Sequence, residues 1–419
     1  MTKILYAGMQ LPWPPDNGGK IAALSDLARL SRRFEIDVVS YIDPVNVPRK
    51  EEHLAALRSA LPGVRFVEPV AHHILRGHPV KDRVVPLLRG LATLSPYVVG
   101  KYRSGAYLDL VRRLLAADAY HALAIESLAP SDVLRALPAQ TRRRLKVVYR
   151  AFDVFTETLE GFARELGAHP GRLAAELDLA VSRRYERRLW RAADAILAVT
   201  PRVGALISRD LGGEEQKVLH LPVVVPPLDR RRPSREGTRR VLYVGTVHFP
   251  PNLSGLQWFL RECWPLVAGR DPVAALDVVG RGGAKLRPVP DSVRIHEYVD
   301  DLQPFYDAAD VFVVPLLSGS GVRLKILDAL NQGLPVVSTS AGYRGIDLEA
   351  GRDILVADDA AGFADQVSRL LTNPEMRNEL AEHGRAFMAA HHSPQLADEA
   401  VDRLLAIVES PHADARARA

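Results

Sequence analysis

The sequence predicts an α/β protein of two doubly wound domains facing each other across a cleft, and three observations carry that expectation. Short apolar runs alternate with longer segments of helical period, the pattern of parallel sheets with crossover helices. The pattern breaks near 222–240, where Pro222, Pro226, Pro227 and Pro233 surround Asp229-Arg230-Arg231-Arg232, and it restarts at Val241. The chain of 419 residues is long enough for two domains at about 150 residues each. Ligands of such sheets sit at the carboxyl ends of the strands.

In chain order, Ile4 to Ala7 reads as a buried strand, and Leu11-Pro12-Trp13-Pro14-Pro15-Asp16-Asn17-Gly18-Gly19 as a loop on turn chemistry. Ile21, Leu24, Leu27, Ala28 and Leu30 follow with helical spacing. Further strands are expected at 36–40, 64–67, 122–125, 146–149 and 195–199, with a long charged helix over 176–193 before the last of these. The second half repeats the scheme, with strands at 241–245, 275–280, 311–315 and 334–338. A final helix near 395–408 precedes a polar tail expected to fray. The expected division is 1–225, a linker at 226–240, a second domain at 241–393, a helix at 394–410 crossing back to the first domain, and a tail at 411–419.

Composition narrows the class. Hydrophobic residues make up 47% and charged residues 25%, which excludes wholesale disorder, collagen and a disulfide scaffold. Cys263 is the only cysteine, so no internal disulfide and no cysteine-based zinc site is possible. No apolar run approaches the roughly 18 residues of a membrane span, and the first residues are too soon broken by prolines to read as a signal peptide. The expected location is the cytoplasm. The net charge of +5 is too small an excess to select a partner. Arg142-Arg143-Arg144 and Arg230-Arg231-Arg232 lack interleaved aromatic residues, so no nucleic-acid partner is expected. The basic, apolar stretch 74–103 is compatible with peripheral contact at the inner face of a membrane, although such helices more often cover a sheet.

The most informative stretch is Pro315-Leu316-Leu317-Ser318-Gly319-Ser320-Gly321-Val322-Arg323-Leu324-Lys325-Ile326-Leu327-Asp328-Ala329-Leu330. A buried strand leads into a Gly-Ser-Gly loop and an amphipathic helix beginning near Val322. Small loop residues let backbone N–H groups close on an anion at a helix N-terminus. Arg323 and Lys325 place fixed positive charge in the first turn, where it disfavours the helix itself, so an anion is expected there. Asp328 lies deeper and can accept hydrogen bonds from a neutral diol.

The run resembles the donor-site signature of retaining family 4 glycosyltransferases of the GT-B fold, in the subgroup with Gly-Ser-Gly-x-Arg-Leu-Lys. Tyr243-Val244-Gly245-Thr246-Val247-His248-Phe249-Pro250-Pro251-Asn252 is similar to the glycine loop and Pro-Asn element that open that family's C-terminal domain. Trp258-Phe259, Trp264-Pro265, Val279-Gly280-Arg281-Gly282, Ala309-Asp310-Val311 and 333–339 follow in the family's order. Pro14 to Lys20 resembles the glycine-containing first loop, and Tyr185-Glu186-Arg187 with Ala193-Asp194 matches a weaker signature. The resemblance implies two Rossmann-like domains, with Gly18 and Gly19 across the cleft from the donor diphosphate. It further implies that Ser320 and Gly321, in the loop of Gly319 and Val322, hold phosphate oxygens, that Arg323 and Lys325 balance the departing charge, that Asp328 binds the ribose, and that Val299 packs by the base. Gly245, His248 and Arg281 complete the expected donor site.

Four departures stand out. Ser320 replaces the first acidic residue of the family's spaced pair, and Asp328 shortens the second. Thr246 and Pro251 stand where an arginine and a lysine often follow the first glycine, leaving Arg281, Arg323 and Lys325 as substitutes. Glu297 stands where glycine is usual, and Pro222-Val223-Val224-Val225 replaces Asn-Gly-Val.

No two aspartates are separated by a single residue, so no Asp-x-Asp is available to bridge a metal to a diphosphate. No metal or other cofactor is expected, and leaving-group charge must be met by dipoles and cations. His72-His73 and His391-His392 read as solvated loop histidines. Glu126 and Asp153 follow strands at their carboxyl ends, where binding an acceptor hydroxyl, orienting a loop and capping a helix are all open to them. The expected function is metal-independent transfer of a sugar from a nucleotide-sugar, a UDP-sugar first with GDP or dTDP as alternatives, to an acceptor hydroxyl with retention. A nucleotide-sugar epimerase and a non-catalytic partner subunit are the rival readings.

Overall fold

The structure is a computed structural model that describes residues 1–72, 90, 93–165, 171–225, 238–297, 299–318 and 323–411. Most of the expected linker (226–237), the tail from 412 and most of the basic stretch 74–103 lie outside the described residues. The chain forms two compact units, Met1–Val223 with Gln395–Ala419, and Val224–Pro394.

The first unit holds a parallel sheet of seven strands: β1 (Thr2–Ala7), β2 (Phe34–Val39), β4 (Val64–Phe66), β6 (Ala122–Glu126), β7 (Lys146–Ala151), β8 (Ala195–Ala198) and β9 (Val218–His220). A small parallel pair joins β3 (Tyr41–Ile42) to β5 (Val70–Ala71). The large sheet runs β4-β2-β1-β6-β7-β8-β9, so strand order reverses between β1 and β6. Ile4, Leu5, Tyr6 and Ala7 are all buried, as a strand covered on both faces requires.

The second unit repeats the plan with β10 (Arg240–Val244), β11 (Ala275–Val279), β12 (Val293–His296), β13 (Val311–Val314), β14 (Val336–Ser338) and β15 (Leu355–Val356). Its sheet runs β12-β11-β10-β13-β14-β15, reversing between β10 and β13. These reversals are the switch points beside which doubly wound sheets open a crevice for ligands. Val241, Val278, Val313 and Val337 pack with Phe259, Trp264, Phe363 and Val367 in one apolar core.

The long helix expected over 176–193 spans Arg172–Ala192. The last helix, Pro394–Glu409, buries Ala397, Ala400, Val401, Leu404 and Val408. Arg29 Nη1 donates to Asp398 at 3.2 Å, and Arg33 Nε to Asp402 at 2.5 Å. The helix Gly18–Leu30 is in turn tied to β7 by a buried bidentate pair, Arg150 Nε to Asp26 Oδ2 at 2.5 Å and Nη2 to Oδ1 at 3.0 Å. One histidine expectation is corrected. His392 is buried, because its ring and that of His391 both pack on Phe387.

Candidate functional site

In the second unit, the expected donor residues gather at the carboxyl ends of β10 and β11, beside the switch point. Gly245 ends β10 and donates to the carbonyl of Val279 at 2.9 Å. Gly280, at φ +148°, passes so close that a Cβ there would collide with the Gly245 carbonyl, a position only glycine tolerates. The following loop is tied to the next strand's loop at Arg281, whose carbonyl accepts from Val247 N–H at 2.9 Å and lies 3.2 Å from His248 Nδ1. His248 and Arg281 are both exposed.

Lys325 enters this cluster from the helix Leu324–Asn331 that follows β13. Its ammonium turns inward, donating to Tyr243 Oη at 2.8 Å and to Asn252 Oδ1 at 3.2 Å. A Cβ on Gly245 would stand 2.6 Å from that nitrogen, so the bare backbone of Gly245 makes room for it. Both partners of the ammonium are neutral, and no carboxylate pairs with it among the described residues. Desolvation, with the nearby Arg323 charge adding to it, lowers the amine to about 7. This corrects the expectation of a fixed charge in an exposed first turn: Lys325 is a titratable cation drawn under the glycine loop. An arriving anion would restore its charge by direct attraction.

Arg323 caps the same helix with non-helical backbone, φ −87° and ψ 86°, placing the helix start one residue beyond it rather than near Val322. Asp328 sits one turn further on, partly buried, with burial raising its carboxyl to about 6. It makes no hydrogen bond or ion pair to a described residue, so its oxygens are open to hydroxyl donors. Gly319, Ser320, Gly321 and Val322 lie outside the described residues. Val299, partly buried, follows β12 without belonging to a regular element. Glu297 next to it accepts from the N–H groups of Gly282 and Ala284 at 2.7 Å each. Those bonds hold its carboxyl below the usual range and pin the loop that carries Arg281.

In the first unit, Gly18 and Gly19 open the helix Gly18–Leu30, whose cap Asn17 accepts from Lys20 N–H at 3.1 Å. Glu126 is the last residue of β6 and is buried, with Met9 N–H donating to it at 2.9 Å. Desolvation raises it to about 8, so near neutral pH it carries its proton and holds the loop after β1. Asp153 accepts from Thr158 Oγ1 at 3.5 Å. The open N–H groups of the adjoining helix Phe155–Glu165 go instead to Glu186, from Phe155 at 2.8 Å and Thr156 at 3.1 Å.

The structure thus brings Gly245, His248, Arg281 and Lys325 together, with Arg323 and Asp328 on the same short helix. Glu126 and Asp153 stand in separate surroundings. Sequence reasoning gave no role to Tyr243, which reads as one more apolar strand residue, or to Asn252, whose only signal is the Pro-Asn pair. Glu186 as a cap also went unassigned.

Residues 238–373 match the family model described as Glycosyl transferases group 1. An uncharacterized 44.6 kDa protein of the cps region of Klebsiella pneumoniae is 30% identical over 195 residues, 43% of this chain and 50% of that protein. LpsE, a lipopolysaccharide core biosynthesis glycosyltransferase of Rhizobium meliloti, is 33% identical over 120 residues, 28% of this chain and 35% of its own. The chain therefore spans half or less of the length of these curated relatives. Among solved structures, HepE of Anabaena in complex with UDP-glucose superimposes with a TM-score of 0.62 at 14% identity, over 97% of this chain and 100% of that one. The fold is that of GT-B glycosyltransferases.

Proposed function

We propose that this chain is a glycosyltransferase that moves a sugar from a nucleotide-sugar, a UDP-sugar first among them, to an acceptor hydroxyl. The single observation that carries the reading is the Lys325 ammonium, held under Gly245 by two neutral groups at the switch point of the second sheet. A cation so placed is costly in the free protein and gains most when an anion joins it. The family match over 238–373 supports a sugar-transferring role for this unit, and UDP-glucose bound to HepE supports the donor class. The name of LpsE supports a lipopolysaccharide or polysaccharide acceptor.

In this reading the diphosphate released from the sugar meets Lys325 and Arg323, and Asp328 accepts from the ribose hydroxyls. The backbone of Ser320 and Gly321 adds N–H donors, as the resemblance implies. Stabilising charge as it develops on the leaving group is the main contribution such a site makes. Retention and metal independence belong to the same proposal. Retention rests on the resemblance of 315–330, and metal independence on the two cations and the absence of Asp-x-Asp from the sequence. Nothing in the site favours the epimerase or the non-catalytic reading.

The test is UDP release from a panel of UDP-sugars in EDTA, with the anomer of the first-formed sugar product read by NMR. Release with the donor's configuration kept is the expected result. Inverted product would overturn retention, and an absolute requirement for a divalent cation would overturn metal independence.

A further inference from the structure

We infer that Tyr243 and Asn252 form an uncharged cradle that positions the Lys325 ammonium for an incoming diphosphate, with Asn252 the residue that keeps this cation available. The inference rests on the donor-site reading above and assigns positioning residues to it.

Asn252 lies in the first turn of the helix Pro250–Trp258 and is itself buried. Its Nδ2 donates to the carbonyl of Thr246 at 2.8 Å. That bond fixes the amide orientation and leaves Oδ1 as the atom facing Lys325, at 3.2 Å. The amide therefore joins the glycine loop to the ammonium with one donor and one acceptor, the pairing only Asn or Gln supplies. Tyr243, fully buried on β10, adds its hydroxyl at 2.8 Å and presents its ring 4.3 Å from the same nitrogen. A hydroxyl, an amide oxygen and a ring face all attract a cation without neutralising it.

A carboxylate at 252 would differ by one atom and reverse the outcome. It would pair with Lys325 at short range in a poorly solvated place, where opposite charges attract strongly. It would also lose the donor to Thr246. The ammonium would then already be satisfied, and an approaching diphosphate would meet an ion pair in place of a bare cation. Tyr243 and Arg323 are the titratable groups that act on Lys325 in this site, so a new charge at 252 would be the dominant change.

The experiment compares the full-length wild type with Asn252→Asp, Asn252→Ala and Tyr243→Phe by two readouts. The first is the pH dependence of Lys325 acetylation by acetic anhydride, read by peptide mass spectrometry without nucleotide. The second is the dissociation constant for UDP. Asn252→Asp is expected to move Lys325 reactivity to higher pH and to weaken UDP at least tenfold, while the ligand-free melting temperature stays level or rises. Tyr243→Phe, which keeps the ring, and Asn252→Ala are expected to weaken UDP without raising the pH of Lys325 reactivity. Unchanged Lys325 reactivity in Asn252→Asp, or UDP affinity within twofold of wild type, would overturn the cradle. Wild type that ignores UDP, with Lys325 reactivity shifting as expected, would sink the donor reading and leave the ammonium's cradle standing.

Discussion

Two side chains at strand ends carry the residue-scale account, and both are set by burial. Lys325 titrates near 7 in the free protein, and a bound diphosphate holds it protonated. Affinity for UDP is therefore full below about pH 7 and falls as pH rises through that value, since binding must then take up a proton. We predict at least a tenfold weakening between pH 7 and 9 by calorimetric titration, and a flat profile for Lys325→Met. Glu126 behaves oppositely in stability. Its folded value of about 8 lies above its unfolded one, so its contribution is complete below about pH 4.5 and is lost as pH rises toward 8. Glu126→Gln keeps the acceptor for Met9 N–H and removes the charge. It should match wild type near pH 4.5 and melt higher at pH 8.5, by a few kcal/mol in stability. The sequence made the identity of these residues legible, but not their state. Lys325 read as an exposed first-turn cation, because nothing local reveals that Tyr243 and Asn252 converge on it from 82 and 73 positions away.

Elements were legible in proportion to their length and burial. Central strands such as β1, β6, β7 and β10 show as apolar runs because both faces are covered. The strands β9, β12 and β15 did not show, since they have two to four residues, too few to display a period. In β12, Val293-Arg294-Ile295-His296 also alternates apolar with charged residues, as befits a sheet edge. The glycines after β10 and β11 were legible as residues, but their mutual approach was not. A methyl group on Gly280 would strike the Gly245 carbonyl, so Gly280→Ala should shift the loop that carries Arg281 and His248 away from Lys325. We predict a loss of UDP affinity of tenfold or more, with a smaller loss of stability, about 1–3 kcal/mol by denaturant unfolding. Affinity equal to wild type would show that the close approach is not needed.

At the scale of the whole molecule, the chain's last regular element belongs to its first unit. The ion pairs of Arg29 and Arg33 with Asp398 and Asp402 are partly or fully exposed and are worth little. Val401, Leu404 and Val408 matter more, since each buried aliphatic side chain contributes about 1.5–3 kcal/mol. A chain ending at Ser393 should therefore lose most of the stability of its first unit, read as a melting temperature lower by at least about 10 °C. A melting curve like that of the full chain would contradict this. The central claim is that the switch point of the second sheet is a metal-free site for a nucleoside diphosphate. Calorimetric titration of UDP in EDTA, into wild type and Lys325→Met at pH 7, tests it most directly. The account predicts saturable binding to wild type and at least a tenfold weaker affinity in the variant; equal affinity in the two proteins, or no binding to well-folded wild type, would contradict it.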